Sequence, residues 1–395
     1  MFEDKINTFI GNKSVVTSSN EIFDKLILDF LSDLSKTIFL NSKKIKYKEI
    51  IAFGYWCRKA NLEKFKKVYL SKNIKVGKGL VFHVVPSNVP INFAYSLVFG
   101  LLSGNSNIVR VGEEKNDIVK STCKFFNLII KKKKYKKIYN ENTVITYKKD
   151  ENITKYFSLK SDCRILWGSD ETIKTLRNYD RKVNCTDLIF ADRYSISVID
   201  IRAVNKGNLD RLVYNYFNDT FLMDQNACSS PHLMVWINLN KSNEKIKNLF
   251  WEKLAKLSLV NYDFDISKSY EKLSNSFENI LKLEKNTSKF KNFNQILHIT
   301  KIKKIPKKIE NVRGKFGSFY EFYGKNFDFL NKIQSDKLQT ISYFGLDSHS
   351  IEEKIKKIQL KKLCRFVPIG STLDLDLMWD GYDVINNLSK TIVIK

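Results

Sequence analysis

The chain has 395 residues, enough for two or three domains, and 43% of them are hydrophobic, which supports a packed core and excludes a disordered chain. No apolar run approaches about 18 residues, so no transmembrane helix is expected. The opening Met1-Phe2-Glu3-Asp4-Lys5 is acidic with no long apolar stretch behind it, unlike a signal peptide.

A formal charge of +26 raises nucleic-acid binding as a hypothesis. Lysine is spread along the whole chain, however, and arginine, the better reader of phosphates and bases, is scarce. Charge of that kind speaks to solubility and non-specific association rather than to chemistry, so no specific nucleic acid is expected. The one dense run, residues 131–137 (K-K-K-K-Y-K-K), reads as a solvated helix end or loop, with contact to an anionic partner as the alternative. Six cysteines are widely scattered without a C-x-x-C pair, and the four histidines are dispersed. Neither a disulfide framework nor a metal site is expected, and free thiols fit a cytoplasmic protein.

Residues 1–75 read as helical. Phe23, Ile27, Phe30, Leu31 and Leu34 recur at helical spacing over 21–38. A second helix is predicted over 47–69, with Ile51, Tyr55, Trp56 and Leu62 as core and Cys57 as a buried small hydrophobe. Residues 79–114 follow, with two of the five prolines (Pro86, Pro90) and four of the fifteen glycines (Gly79, Gly100, Gly104, Gly112). Leu80 to Val85 reads as a buried strand, 86–90 as a rigid turn, 91–103 as a buried helix and 108–111 as the next strand, which together make a βαβ unit. In such a unit the ligand lies at the carboxyl end of the strand. Pro-Ser-Asn-Val-Pro is a good turn sequence in its own right. An asparagine held between two prolines is also fixed rigidly, as an oxyanion donor must be.

A helix is predicted over 117–130, a strand over 142–147, a short helix over 151–157 and a strand over 164–167. Gly168 and Ser169 then lead into a helix. Free N–H groups there favour an anion, and Ser169 is equally an ordinary N-cap. Residues 208–223 form an amphipathic helix with Leu212, Tyr216, Phe217 and Leu222. Next come Met223-Asp224-Gln225-Asn226-Ala227-Cys228-Ser229-Ser230-Pro231 and a strand from His232, which reads as structural. Cys228 alone among the cysteines sits in a polar turn of small residues, where a thiolate has access and backbone N–H groups. A buried structural thiol is the plainer alternative. Residues 239–310 are lysine- and asparagine-rich, with a helix over 244–257 and a strand over 296–302. Strands are expected in 314–323 and 338–346, and a helix over 350–360.

Taken together, these motifs resemble the LuxC-type acyl-CoA reductases, a branch of the aldehyde dehydrogenase superfamily. The carriers are Pro86-Ser87-Asn88 where the wider superfamily has Pro-Trp-Asn, Gly104-Asn105, Ile108-Val109-Arg110, and Gln225 followed by Ala227-Cys228-Ser229-Ser230-Pro231. Cys364 to Gly370 and Met378 to Gly381 match the end of the family, so the likeness spans roughly residues 77–395. The resemblance implies an α/β fold of aldehyde dehydrogenase type, a Rossmann-type cofactor domain plus a second α/β catalytic domain. The division expected is an N-terminal helical segment (1–76), a nicotinamide cofactor-binding domain (77–200), a catalytic domain carrying the cysteine (201–345), and a C-terminal segment (346–395) returning to the cofactor domain or to an oligomer interface.

Residue by residue, the resemblance implies Cys228 as nucleophile and the Asn88 amide as oxyanion donor. Pro86 and Ser87 are expected at the cofactor, Arg110 and Glu113 near its adenosine ribose, Gly168 and Ser169 against its pyrophosphate, and Glu321 at its nicotinamide ribose. Hydrolytic relatives carry a water-activating glutamate where this chain has Phe190. Asp192 is a substitute base or the partner of Arg193. Without such a base, an acyl-enzyme should favour transfer to or from a thiol over hydrolysis. The implied activity is reduction of an acyl-CoA to an aldehyde through a Cys-bound acyl group, with hydride from NADPH. NADH is the alternative, since Glu113 could bind a ribose 2′-hydroxyl. An acyl-activating synthetase partner and a homo-oligomer follow by analogy. Two other readings remain open: reduction of an acyl-phosphate or carrier-bound acyl group, and a non-catalytic basic binding protein on the same fold.

Overall fold

The computed structural model describes residues 2–70, 73–112, 116–333, 335–357 and 363–394. Strand β1 (Asn7–Ile10) is followed by helices α1 (Lys25–Leu40), α2 (Lys48–Trp56) and α3 (Lys59–Val68), then strand β2 (Ile74–Gly77). The predicted 47–69 helix is therefore two. The Cys57 N–H closes α2 onto the carbonyls of Phe53 and Tyr55, and α3 starts afresh at Lys59. Tyr55, expected in the core, is exposed beneath the guanidinium of Arg58, 3.2 Å from the ring centroid. Phe23, Ile27, Phe30, Leu31 and Leu34 are buried, and so is Cys57.

The alternation that follows is regular: β3 (Leu80–Val84), α4 (Asn92–Leu102), β4 (Ser106–Arg110), α5 (Asp117–Ile130), α6 (Lys136–Glu141), β5 (Asn142–Thr146), α7 (Glu151–Lys160), β6 (Cys163–Trp167), α8 (Asp170–Arg177) and β7 (Thr186–Phe190). These strands lie in the order β1-β5-β4-β3-β6-β7, and all neighbours are parallel except β1, which runs antiparallel along the edge of β5. Burial of every residue of β3 and β5 is what a sheet covered on both faces requires. The order reverses at β3, where the chain moves outward through β4 and β5, then returns to the other side at β6. Ligand crevices form outside the carboxyl ends of strands at such a switch point. The lysine run over 131–137 joins α5 to α6. Its Tyr135 is buried and donates to Asp33, while Lys134 pairs with Asp29.

The second half holds β8 (Tyr194–Asp200), α9 (Leu209–Phe221), β9 (Pro231–Ile237), α10 (Glu244–Asn261), α11 (Ile266–Leu283), β10 (Thr287–Phe293), β11 (Leu297–Ile302), β12 (Ser318–Gly324), β13 (Leu338–Phe344), α12 (Ser348–Lys357) and β14 (Arg365–Pro368). Its sheet runs β10-β11-β12-β9-β8-β13-β14, parallel except for the edge hairpin β10–β11. Residues 187–200, one segment in sequence, are divided between the two sheets at 191–193. The lysine-rich 239–310 region carries two 18-residue helices and a hairpin, more structure than its composition announced. Leu222, expected on the apolar face of α9, lies just past the helix end and is 37% exposed.

The chain closes with β15 (Met378–Trp379), β16 (Tyr382–Asp383), α13 (Val384–Leu388) and β17 (Ser389–Ile392), the last paired antiparallel with β2. Two compact units result, Met1–Ala191 with Asp376–Lys395, and Asp192–Leu375. The cut falls at 191, ahead of β8, and residues 1–76 belong to the first unit. Among the described residues no helix is long and apolar enough to cross a membrane.

Candidate active site

In the first unit, the turn after β3 sits on a buried chain of hydrogen bonds. Asn107 Nδ2 donates to the Asn105 carbonyl and to Asn142 Oδ1, so Asn107 Oδ1 is left as an acceptor. His83 Nε2–H donates to it at 2.9 Å, which fixes the tautomer and makes His83 Nδ1 the acceptor for the Ser96 hydroxyl at 2.8 Å. Ser96 Oγ in turn accepts Trp167 Nε1–H at 3.1 Å. One directional chain thus ties β6, α4, β3, β4 and β5 together, running from the carboxyl end of β6 at Trp167 to the amino ends of β4 and β5 at Asn107 and Asn142. Burial holds the His83 imidazole neutral, its pKa lowered to about 4.

Beside this support lies a shallow open pocket lined by Val85, Pro86, Ser87, Pro90, Val111, Gly112, Asn116 and Val119. Gly112 closes it against the turn; a Cβ there would stand 3.3 Å from Ser87 Cβ. Asn116 caps α5 by accepting from the N–H groups of Ile118 and Val119. The structure therefore brings together Pro86 and Ser87 with the end of β4. Arg110 ends that strand, its guanidinium 5.1 Å from the Tyr147 ring and its buried Nε without a hydrogen-bond partner. Asn88 is exposed in the same turn and is not part of the pocket wall. Glu113 lies outside the described residues.

Gly168 and Ser169 follow β6. The Gly168 N–H is taken by the Phe190 carbonyl, and Ser169 caps α8 by accepting from the Thr172 N–H at 3.3 Å. Asp170 and Glu171 occupy the first turn of α8. Two carboxylates oppose a phosphate at that helix end, so the capping role is the one the geometry favours. Phe190 is buried and stacked on Trp167 at 4.0 Å between centroids.

In the second unit, Cys228 lies in the turn at the amino end of β9. It is exposed, whereas Cys57, Cys123 and Cys163 are buried and burial pushes their thiols up, Cys163 to about 12. Cys364, just ahead of β14, is the other exposed thiol. The turn is built on two non-glycine residues in the left-handed region, Asp224 (φ 54°) and Gln225 (φ 62°). Such a conformation costs about 1–2 kcal/mol per residue, and the surrounding bonds offset it. The Gln225 N–H reaches the Thr220 carbonyl at 2.7 Å. Its buried side chain donates to the carbonyls of Pro231 and Ser318 and accepts the Gly317 N–H. Asp224 accepts from Tyr262 Oη at 2.5 Å and Lys268 Nζ at 2.9 Å. Ser195 on β8 donates to the Cys228 carbonyl, and Ser230 to that of Asp219.

Sequence reasoning missed these supports. Tyr262 and Lys268 come from the lysine-rich region, and nothing local marks them. A polar His83 inside an otherwise apolar strand was a signal for the network in the first unit. His232 is structural: buried, stacked on Tyr194, its Nδ1 on the Gly314 carbonyl, its pKa lowered to about 3 chiefly by burial. Asp192 pairs with Arg313 at 2.8 Å and Lys337 at 3.0 Å, in place of the expected Arg193. Glu321 is buried on β12, where Trp251 Nε1–H, Tyr323 Oη and Lys247 Nζ surround its carboxylate. A role toward a ribose would require that cluster to break. Among the described residues no group of three or more His, Cys, Asp or Glu could hold a metal ion.

The family model for acyl-CoA reductase (LuxC) matches residues 57–391. The chain belongs to that family, a family of oxidoreductases acting on acyl substrates. No curated protein sequence matches it significantly. Solved structures similar to it are of aldehyde dehydrogenase type. A bifunctional proline utilization A (PutA) protein superposes with a TM-score of 0.64 at 12% identity over 93% of this chain, which spans only 42% of that longer protein. A variant of Thermus thermophilus 1-pyrroline-5-carboxylate dehydrogenase gives 0.62 at 12%, covering 93% of this chain and 80% of that one. A lactaldehyde dehydrogenase gives 0.63 at 10%, covering 94% and 87%. At such identities these likenesses establish the fold, which is the aldehyde dehydrogenase fold expected from the sequence.

Proposed function

We propose that this protein reduces an acyl thioester, an acyl-CoA in the first instance, to the aldehyde through a Cys228-bound acyl group. The observation that carries the reading is the exposed thiol of Cys228 in a strained, heavily braced turn. The Cys228 thiolate attacks the acyl carbon. The oxyanion is held by the Cys228 backbone N–H and by a side-chain amide, for which the family likeness nominates Asn88. The thiol of CoA leaves and the acyl group remains on Cys228 as a thioester. A bound reduced nicotinamide would supply the hydride that takes this thioester to a thiohemiacetal. Cys228 then departs as thiolate while the hemiacetal hydroxyl gives up its proton and the aldehyde forms.

The residues at the carboxyl ends of β3 and β4 fit part of such a cofactor. The open pocket lined by Pro86, Ser87 and Gly112 leaves the ends of both strands accessible to a ligand. The unpartnered Arg110 Nε beside it suits an anionic or hydroxylated group. Pro86, Ser87 and Arg110 are the contacts we favour there, with Gly168 at the neighbouring strand end. NADPH is the family expectation and NADH the alternative. Phe190, locked in its stack on Trp167, offers no base for water, which supports reduction over hydrolysis. A cytoplasmic setting, a synthetase partner and a homo-oligomer belong to the same proposal.

The test is intact mass after mixing the protein with a panel of acyl-CoAs without nicotinamide, beside Cys228→Ala. An acyl adduct is expected that requires Cys228 and disappears on adding NADPH or NADH, with release of aldehyde. An adduct that survives Cys228→Ala, or one that is hydrolysed to the acid when the cofactor is added, overturns the reading. No adduct with any acyl-CoA removes CoA thioesters as donors.

A further inference from the structure

Helix α11 is seated the wrong way round for a surface helix, which ordinarily turns its apolar stripe inward. Its inward side is polar except at its last residue, the buried Leu283. Lys272 Nζ donates to the carbonyls of Gln295 and Ile296, Ser276 lies against Ser318 and His298, and Asn279 Nδ2 donates to the Arg313 carbonyl. Its outward side carries Ile266, Tyr270, Leu273, Phe277 and Leu281, each between 46% and 89% exposed. Five large apolar side chains in one stripe on a soluble surface mark an interaction site.

The spacing identifies the occupant. Reflection about the midpoint between Leu273 and Ser274 carries Ile266 onto Leu281 and Tyr270 onto Phe277, and places the small Ser274 opposite Leu273. The same reflection carries Asp265, the N-cap of α11, onto Lys282, both exposed and opposite in charge. A patch that maps onto itself in this way is what a two-fold interface between identical chains demands. With roughly 150–250 Å² on each large side chain, the exposed stripe offers on the order of 600–700 Å², close to the about 800 Å² per partner that stable complexes bury. Glu271 and Glu278 flank the stripe on the exposed side of the helix, which disfavours an anionic lipid surface or an acidic partner in spite of the chain's overall positive charge.

We propose that α11 is a self-association surface: two copies of this chain pair across a two-fold axis, α11 antiparallel to α11, with Leu273 near the axis and Asp265 facing the partner's Lys282 at both ends. The inference is independent of the reaction.

The test is cross-linking of the full-length chain carrying single cysteines on the stripe, using a short bis-maleimide and locating the joined peptides by mass, so that links through the native Cys228 or Cys364 are set aside. Leu273→Cys is expected to link to itself. Ile266→Cys is expected not to, since its own copy lies about 22 Å away along the paired helices, but to link to Leu281→Cys when the two variants are mixed. Phe277→Glu, a change on an exposed face, should halve the mass measured by light scattering while leaving the thermal melt in place. Absence of the Leu273→Cys self-link overturns the proposal. So does a self-link through Ile266→Cys, which requires parallel helices, or unchanged mass in Phe277→Glu. Flotation with anionic vesicles that depends on Phe277, without the Leu273→Cys link, would assign the stripe to a membrane and overturn the proposal.

Discussion

The Ser195 hydroxyl donates to the Cys228 carbonyl across 2.7 Å, so the first turn of strand β8 holds the backbone of the residue that leads into β9. The bond joins neutral groups, and its net worth is about 1 kcal/mol. Ser195→Ala should slow acylation of Cys228 by roughly fivefold. KM for the acyl donor should stay in place, and Ser195→Thr should restore the rate. Single-turnover acylation followed by mass reads the result; a change in KM alone would assign Ser195 to binding.

Gln225 should matter more than Ser195, because its amide is buried and makes three bonds at once. Gln225→Glu would turn a carboxylate oxygen toward two carbonyls, and Gln225→Ala would leave the Gly317 N–H and both carbonyls without their side-chain partner. Leaving buried groups unsatisfied costs about 1–3 kcal/mol each. The urea midpoint should fall in both variants, and Cys228 acylation should drop more than tenfold in whatever fraction remains folded. A variant with the wild-type midpoint would show that the turn stands without this brace.

Asn88 is exposed and its loss opens no cavity, so its substitution should spare the fold. Asn88→Ala is expected to lower kcat by about a hundredfold to a thousandfold, the range for an oxyanion donor. Asn88→Asp should be at least as damaging, since a carboxylate repels the developing charge. Thermal melts should not move. A loss under tenfold in both variants would remove Asn88 from the oxyanion site.

How far the sequence could be read follows from where the constraints are local. Leu80 to Val84, the turn between Pro86 and Pro90, and the glycine stop at Gly104 are each specified by adjacent residues, and the βαβ unit they predict is the centre of the first sheet. Cys228 stood out because its turn is polar and built of small residues, unlike the settings of the other five cysteines, and the structure leaves it exposed in that turn. Helix α11 was not legible, because its apolar stripe faces outward and its inward side, up to Leu283 at its end, is written in lysine, serine and asparagine. Nor were Tyr262 and Lys268 at Asp224, 38 and 44 residues away in sequence. Glu321 was nominated by the family likeness alone, and what its neighbours in sequence do not show is that folding encloses its carboxylate with Trp251, Tyr323 and Lys247.

Restoring a carboxylate at Phe190 should not convert the protein into a hydrolase. Phe190 is 3% exposed, stacked on Trp167 and edge-on to Tyr382. Loss of a buried phenylalanine alone costs about 3–5 kcal/mol, and Phe190→Glu adds an unpaired buried charge. The expected outcome is a large drop in melting temperature with no rise in release of free acid from the acyl-enzyme. Acid release at an unchanged melting temperature would show that the position faces the reacting acyl group.

Acid should loosen the first unit through His83. Its folded pKa, about 4, lies below the ordinary value of 6.5 because burial disfavours the imidazolium. Between those values the unfolded chain binds the proton and the folded chain does not. The stability His83 contributes is therefore complete above about pH 6.5 and is lost as pH falls toward 4, by about 3 kcal/mol in all. His232 and His298, lowered to about 3 and about 4, act in the same direction. Protonation would also reverse the bond from Ser96, since Nδ1 can then no longer accept, and would release Trp167 at the end of β6. Urea midpoints at pH 7, 5.5 and 4.5 should decline steeply for the wild-type chain. His83→Gln should start lower at pH 7 and decline with a shallower slope, by one proton, over the same interval. An unaltered slope in that variant would place the acid sensitivity in the other two histidines.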